Sequence, residues 1–212
     1  DGLADFRNNV TAGDSYDFEG GAIPANLSSS WAFSQCTGGQ GSTVPAACVP
    51  STIHDDWSVT STTPIAGTYS LMSGQLASGS YGEVTASITF FSSGGTMSWD
   101  WKVSSIDRTT VTGYTDGLKV YVDGVQIDAS QYGGCINGEW CGERSGGMQW
   151  TMSPGNVTVD FVFDFGTGSS GGSSTAWIDN LVLPSVLTSS NYDLDDDNDG
   201  VDDSDDLDSL DP

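Results

Sequence analysis

Positive charge is scarce in this sequence. Five Lys and Arg stand against 29 Asp and Glu in 212 residues, for a formal net charge of −24. Such a surface repels phosphate backbones and anionic lipid headgroups, which excludes nucleic acid and acidic membrane surfaces as partners. No apolar run approaches the roughly 20 residues that span a bilayer, so membrane insertion is excluded on length. His54 is the single histidine. None of the four cysteines is spaced as CxxC, so a zinc site has too few ligands. A signal-peptide pattern and an initiating Met are both missing, and the chain stops inside an acidic repeat. Those absences lead to the expectation of a mature segment, with neighbouring domains, from a longer secreted or cell-surface protein.

What the chain does contain is glycine, serine, threonine and alternation. Val84, Ala86, Ile88 and Phe90 alternate with Glu83, Thr85, Ser87 and Thr89. Met97, Trp99, Trp101 and Val103 do the same, as do Leu118, Val120 and Val122, and the run from Val157 to Phe165. A period of two with one apolar face predicts half-buried antiparallel strands. Asp123-Gly124 between two such runs predicts a tight hairpin. Further strands are expected at 57–61, 67–73, 148–152 and 176–183, with 1–15 and 20–50 irregular, 166–174 a Gly/Ser loop and 184–191 a linker. No stretch has a helical period. The fold class is therefore all-β, a two-sheet antiparallel jelly-roll sandwich over 1–186, followed by a short linker and calcium-binding acidic tail over 187–212.

The cysteines fall into two local pairs, Cys36 with Cys48 and Cys135 with Cys141, among three possible connectivities. Closing each short loop is the simplest, and each such bridge contributes roughly 2–3 kcal/mol. Disulfides imply an oxidising, extracellular setting. Four reduced, buried thiols are the alternative.

The tail holds the densest charge. DLDDDNDGVDDSDD, residues 193–206, contains nine aspartates and no base. Counted from Asp195, carboxylates fall at positions 1, 3, 5, 9 and 12: Asp195, Asp197, Asp199, Asp203 and Asp206. Gly200 occupies position 6, where the loop turns sharply, and Val201 occupies position 7, which offers its carbonyl. This is the ligand order of an EF-hand-type calcium loop, with Asp in place of the terminal Glu. A divalent cation explains why five carboxylates share one register; a solvated, disordered tail is the alternative.

Catalytic constellations are thin. The paired acids two residues apart on a strand, which glycosidases on similar folds use, are absent. Asp160 and Asp164 share a strand face but lie four residues apart, with Val162 between them. Asp55 and Asp56 beside His54 would point to opposite faces of a strand. The expectation is a non-enzyme. Binding is better served. Sugars stack on exposed aromatics and are fixed by polar side chains. Trp57, Trp99, Trp101 and Trp177 sit in strand patterns and read as core. Trp140 instead lies in CINGEWCGER, inside the Cys135–Cys141 loop, with Tyr132 before it and Arg144 after it. That loop is the first candidate platform, with Tyr114 and Asp107 on a neighbouring insertion as weaker members. The alternative is that Trp140 covers a sheet edge. A second candidate surface comprises Lys119, Tyr121, Gln149 and Asp160 on one sheet face.

Several segments in order carry a resemblance: DFEGGAIP (17–24), WSVTS (57–61), PIAGTYSLMSG (64–74), MSWDWKVSS (97–105), DGLKVYVDGV (116–125) and TAWIDNLVLP (175–184). Together they resemble MAM-like, concanavalin-type jelly rolls of secreted bacterial proteins and calcium-stabilised carbohydrate-binding modules with that sandwich. The chain departs from the pattern at 106–115 and at the cysteine loop 131–147. The resemblance implies one structural Ca2+ where the first and last strands meet, held by Glu19 and Asp179; the alternative is that these two acids accept hydrogen bonds from backbone groups. The tail resembles a thrombospondin type 3 repeat, in which Asp193 and Asp208 would join a second ion. The implied function is a non-catalytic, calcium-dependent module that binds a polysaccharide or cell-surface glycan. The alternative is a structural or adhesive domain that contacts proteins.

Overall fold

The computed structural model describes residues 15–23, 29–37, 49–50, 56–74, 82–108, 117–128, 140–165 and 174–184. These residues form ten strands: β1 (Ser15–Tyr16), β2 (Ser29–Thr37), β3 (Val49–Pro50), β4 (Ser58–Thr60), β5 (Ser70–Met72), β6 (Gly82–Arg108), β7 (Gly117–Val122), β8 (Val125–Asp128), β9 (Trp140–Phe165) and β10 (Thr175–Val182). No helix occurs among the described residues, and no helix long and apolar enough to cross a membrane is therefore present there. All pairings are antiparallel.

Two long strands organise everything else. β6 and β9 run 27 and 26 residues and pair from Gly82↔Phe165 to Arg108↔Trp140. The ribbon turns a corner at its middle. Gly94 and Gly95 take φ of 90° and 123°, and Gly155, opposite Ser92 on the partner strand, takes 139°. A side chain resists positive φ, so glycine is what permits this corner. The flanking rungs are Ser93↔Pro154 and Gly95↔Met152. Beyond the corner the same two strands belong to a different layer. The first layer reads β3-β2-β6-β9-β7-β8, using residues 82–93 of β6 and 154–165 of β9. The second reads β4-β5-β10-β6-β9, using 95–108 and 140–152, with β1 on the end of β10.

Alternation explains how the layers meet. Val84, Ala86, Ile88 and Phe90 of the first half of β6 are buried, and so are Met97, Trp99, Trp101 and Val103 of the second. Each fully buried side chain of this kind contributes about 1.5–3 kcal/mol. Trp99 meets Phe161 edge-on at 5.9 Å, which joins the second half of β6 to the far half of β9. Tyr16 of β1 likewise meets Trp31 of β2 edge-on at 5.5 Å. Such contacts between layers make the fold a jelly-roll sandwich. Trp57, Trp99, Trp101 and Trp177 are buried as the alternation predicts. Trp177, however, points away from the inter-sheet core. Its indole donates to Thr62 O at 3.2 Å, and Lys102 Nζ sits 4.3 Å from the ring centroid while donating to Thr63 O.

The Asp123–Gly124 turn forms as predicted, with φ of 50° and 76°, and joins β7 to β8. Both residues at positive φ mark the turn type whose twist matches a hairpin. Other expectations change. The separate runs at 84–90 and 97–103 are one strand, as are 148–152 and 157–165. Residues 29–37 were expected to be irregular and instead form β2, paired with β6 from Ser29↔Phe90 to Thr37↔Gly82. Trp31 is half-buried against Tyr16 and Phe18, but Ala32, Phe33 and Ser34 are all exposed, so only part of one face of β2 meets the core. The acidic tail, the linker and the 166–173 loop lie outside the described residues. Cys36 is disulfide-bonded. Cys48 and Cys135 lie outside the described residues, so the pairings remain expectations.

Candidate functional site

The outward face of the first layer gathers polar side chains in rungs across β6, β9 and β7. Three rungs matter. Glu83 pairs with Asp164, which pairs with Gly117. Thr85 pairs with Val162, which pairs with Lys119. Ser87 pairs with Asp160, which pairs with Tyr121. Directly opposed residues of antiparallel strands project to one side, so these side chains share a face. Below them, Thr89 and Thr158 hydrogen-bond at 3.0 Å, and the Asp123 carboxylate accepts from Thr158 N at 2.9 Å.

Internal contacts fix the geometry of this face. Lys119 donates to Asp164 in an ion pair, and Ser87 Oγ donates to Asp160 Oδ1 at 2.6 Å. Asp164 and Val162 are both only 6% exposed, so the middle of the face is recessed. Burial, and then the charge of Asp164, pushes the Glu83 carboxyl above its usual range; Lys119 partly offsets this. Burial pulls the Lys119 ammonium down, but the charge and hydrogen bond of Asp164, with Tyr121 and Glu83, outweigh it and raise the group overall. The Tyr121 phenol is raised by burial first and then by Glu83, Asp164 and Asp160, against Lys119. A recessed surface holding a phenol, three carboxylates, an ammonium and hydroxyls is equipped to accept and donate hydrogen bonds at several points in one plane.

The structure brings together three of the four residues expected on this surface: Lys119, Tyr121 and Asp160. Gln149 does not join them. It lies opposite Ser98 in the second layer, because β9 changes layers at its corner. Glu83, Ser87, Thr85 and Val162 were missed as site members. Their alternation was visible, but their register against β9 was not.

The Trp140 platform takes a different form from the one expected. Trp140 and Arg144 lie in strand β9, opposite Arg108 and Val103, rather than in a loop. Arg144 is exposed, and Asp107 lies in β6. Tyr132 and Tyr114 lie outside the described residues, as do Asp193, Asp195, Asp197, Asp199, Val201, Asp203, Asp206 and Asp208.

Glu19 and Asp179 do converge, on the segment 66–70. Thr68 N donates to Glu19 Oε1 at 2.9 Å and to Oε2 at 3.0 Å, and Tyr69 N donates to Oε1 at 3.2 Å. Asp179, 1% exposed, accepts from Ser70 Oγ at 2.8 Å, Ala66 N at 3.2 Å and Asn180 N at 2.8 Å. Burial raises the Asp179 carboxyl; the Ser70, Asn180 and Ala66 hydrogen bonds oppose this, and the Glu19 charge adds to it. Both acids thus accept hydrogen bonds from backbone groups. Among the described residues, no group of three or more His, Cys, Asp or Glu side chains is placed to hold a metal.

No protein-family model matches the chain, and no curated protein matches it in sequence. Solved structures of similar shape include the carbohydrate-binding module TmCBM61 in complex with β-1,4-galactotriose, at 12% identity and TM-score 0.45, covering 80% of this chain and 97% of that one. Another is the CBM22-1 xylan-binding domain of Xyn10C from Paenibacillus barcinonensis, at 14% identity and TM-score 0.37, covering 84% and 98%. A third is the K1 cleaved adhesin domain of Lys-gingipain from Porphyromonas gingivalis W83, at 16% and 0.41, covering 81% and 96%.

Proposed function

We propose that this chain is a non-catalytic glycan-binding module of a secreted or cell-surface protein, and that the β6–β9–β7 face is its binding surface. The observation that carries this reading is the rung order: Tyr121 beside Asp160 and Ser87, then Lys119 beside Val162, then Asp164 beside Glu83. An aromatic ring gives a pyranose an apolar surface to lie on. The adjacent carboxylates and ammonium engage its hydroxyls with charge-assisted hydrogen bonds. Binding to an array of neutral and charged polysaccharides tests it. Tyr121→Ala should abolish capture while leaving the thermal midpoint near that of the parent. Wild-type protein that captures no glycan refutes the proposal.

Calcium belongs to the same reading. In the tail, Asp195, Asp197, Asp199, Val201, Asp203 and Asp206 would hold one ion, with Asp193 and Asp208 toward a second. At the sandwich, Glu19 and Asp179 offer two oxygen ligands that suit a hard cation, with backbone carbonyls needed to complete the set. Support comes from the convergence of both carboxylates on the segment 66–70, where the charge of Glu19 adds to the burial that raises the Asp179 carboxyl and a bound cation would relieve it. Calorimetry with calcium on the full chain tests both sites. Asp199→Ala should remove tail binding alone, and Asp179→Asn sandwich binding alone. No heat at millimolar calcium refutes both.

An adhesive role in protein contact is the second reading. The exposed Phe33, Phe91 and Trp150 favour it, since each leaves a large apolar side chain that a protein partner could cover. A blank glycan array together with capture of a defined protein partner would support it.

A further inference from the structure

We infer that the β6–β9–β7 face selects its sugar by charge: it prefers a glycan bearing protonated amines to a neutral glycan of the same backbone, and it rejects uronates. This rests on the glycan-binding reading above and adds the chemical class of ligand.

The balance of charge on the face carries the inference. Three carboxylates, Glu83, Asp160 and Asp164, occupy two rungs on either side of Lys119. Lys119 is committed to Asp164, so that pair compensates itself. Among the described residues Glu83 and Asp160 form no ion pair, and Lys119, which also acts on Glu83 through space, is one ammonium against three carboxylates. Lys102 and Arg144, the other described cations with placed side chains, belong to the second layer. Lys102 is occupied there with the Thr63 carbonyl and the Trp177 ring.

An ammonium arriving on this face would find two partners at once. Tyr121 lies on the same rung as Asp160, so a ring face and a carboxylate are side by side. A cation over an aromatic face is attracted by the ring quadrupole, and a carboxylate beside it adds a charge-assisted hydrogen bond. A uronate in the same position would place its charge against Glu83 and Asp160 in a recessed, partly desolvated setting. Like-charge juxtaposition of that kind is how sites reject wrong partners. The formal net charge of −24 acts in the same direction at longer range, concentrating cations and repelling anions. Lys119 does not reverse the balance, because freeing it for a uronate would leave Asp164, 6% exposed, unpaired.

The test uses three oligosaccharide series that share a β-1,4 hexopyranose backbone: glucose, glucosamine and glucuronate hexamers. Titration calorimetry at pH 6 on the full chain compares them at low and high salt. The glucosamine hexamer should bind roughly tenfold more tightly than the glucose hexamer, a single 1.4 kcal/mol step in affinity. The advantage should shrink at high salt, because screening weakens charge pairs at a surface. The glucuronate hexamer should not bind. Asp160→Asn and Glu83→Gln, each checked for an unchanged melting curve, should lower the glucosamine-to-glucose ratio toward one. If glucose hexamer binds and glucosamine binds no more tightly, or glucuronate binds as well, charge selection is wrong while the glycan-binding reading stands. Binding of none of the three series overturns charge selection as well, and the polysaccharide array then decides the broader reading by itself.

Discussion

Gly67→Ala isolates what Glu19 contributes to the fold. Gly67 takes φ of 57°, and a Cβ built there would stand 2.1 Å from Glu19 Oε1 and 2.6 Å from its Cδ. Alanine therefore costs twice. Left-handed backbone costs a residue with a Cβ about 1–2 kcal/mol. The carboxylate must also swing away, which releases the amides of Thr68 and Tyr69. A hydrogen bond to a charged group is worth about 1.5–3 kcal/mol in a protected site. Glu19 is exposed, so a total of about 1–2 kcal/mol for its contacts is the reasonable expectation. Gly124→Ala supplies the control. Its φ is 76°, and nothing lies within 4 Å of its added Cβ, so it bears the backbone term alone. Urea denaturation should show a loss of about 2–4 kcal/mol for Gly67→Ala against about 1–2 kcal/mol for Gly124→Ala. Adding Glu19→Gln to each variant closes a double-mutant cycle, in which only the Gly67 pair should couple. Equal losses in the two glycine variants, or no coupling with Glu19, would refute the argument that this carboxylate holds the 66–70 segment.

Two further outcomes follow from the structure. Glu83 and Asp179 both have carboxyls raised in the fold, chiefly by burial. A group with a raised folded pKa favours the fold when protonated, so stability should increase as pH falls from 7 through the carboxylate range; the slope should shrink in Glu83→Gln and Asp179→Asn, and a thermal midpoint that falls steadily from pH 7 to 5 would contradict this. Lys102→Met keeps the aliphatic stem and removes the ammonium that ties Trp177 to the Thr63 and Pro64 carbonyls. It should cost about 1–2 kcal/mol and speed proteolysis within 62–66, whereas unchanged stability and protease resistance would show that the Trp177 ring alone holds that segment.

Much of the fold was legible because alternation is a local property. Val84 to Phe90, Met97 to Val103 and Val157 to Phe163 each announce a face, and Asp123-Gly124 announces its turn. β2 was not legible, since Trp31 is its one residue packed by ring contacts on the core while Ala32, Phe33 and Ser34 stay exposed. The union of 84–90 with 97–103 was also hidden: two glycines look like a loop until a partner strand with its own glycine turns the same corner. The site was half legible for a related reason. Lys119, Tyr121 and Asp160 could be grouped by their parity, but Gln149 could not be separated from them without knowing where β9 changes layers.

By itself, then, the sequence settled the all-β class, the acidic surface, the apolar faces and the residues able to meet a sugar or a cation. These depend on side-chain chemistry and on spacing along a single strand. Tertiary structure alone decided that Glu83, Asp164 and Lys119 stand together, that the segment 66–70 is what Glu19 and Asp179 both hold, and that Trp177 is buried outside the inter-sheet core. Those are matters of register between strands tens of residues apart, and register is set by how two whole faces pack, which no local pattern encodes.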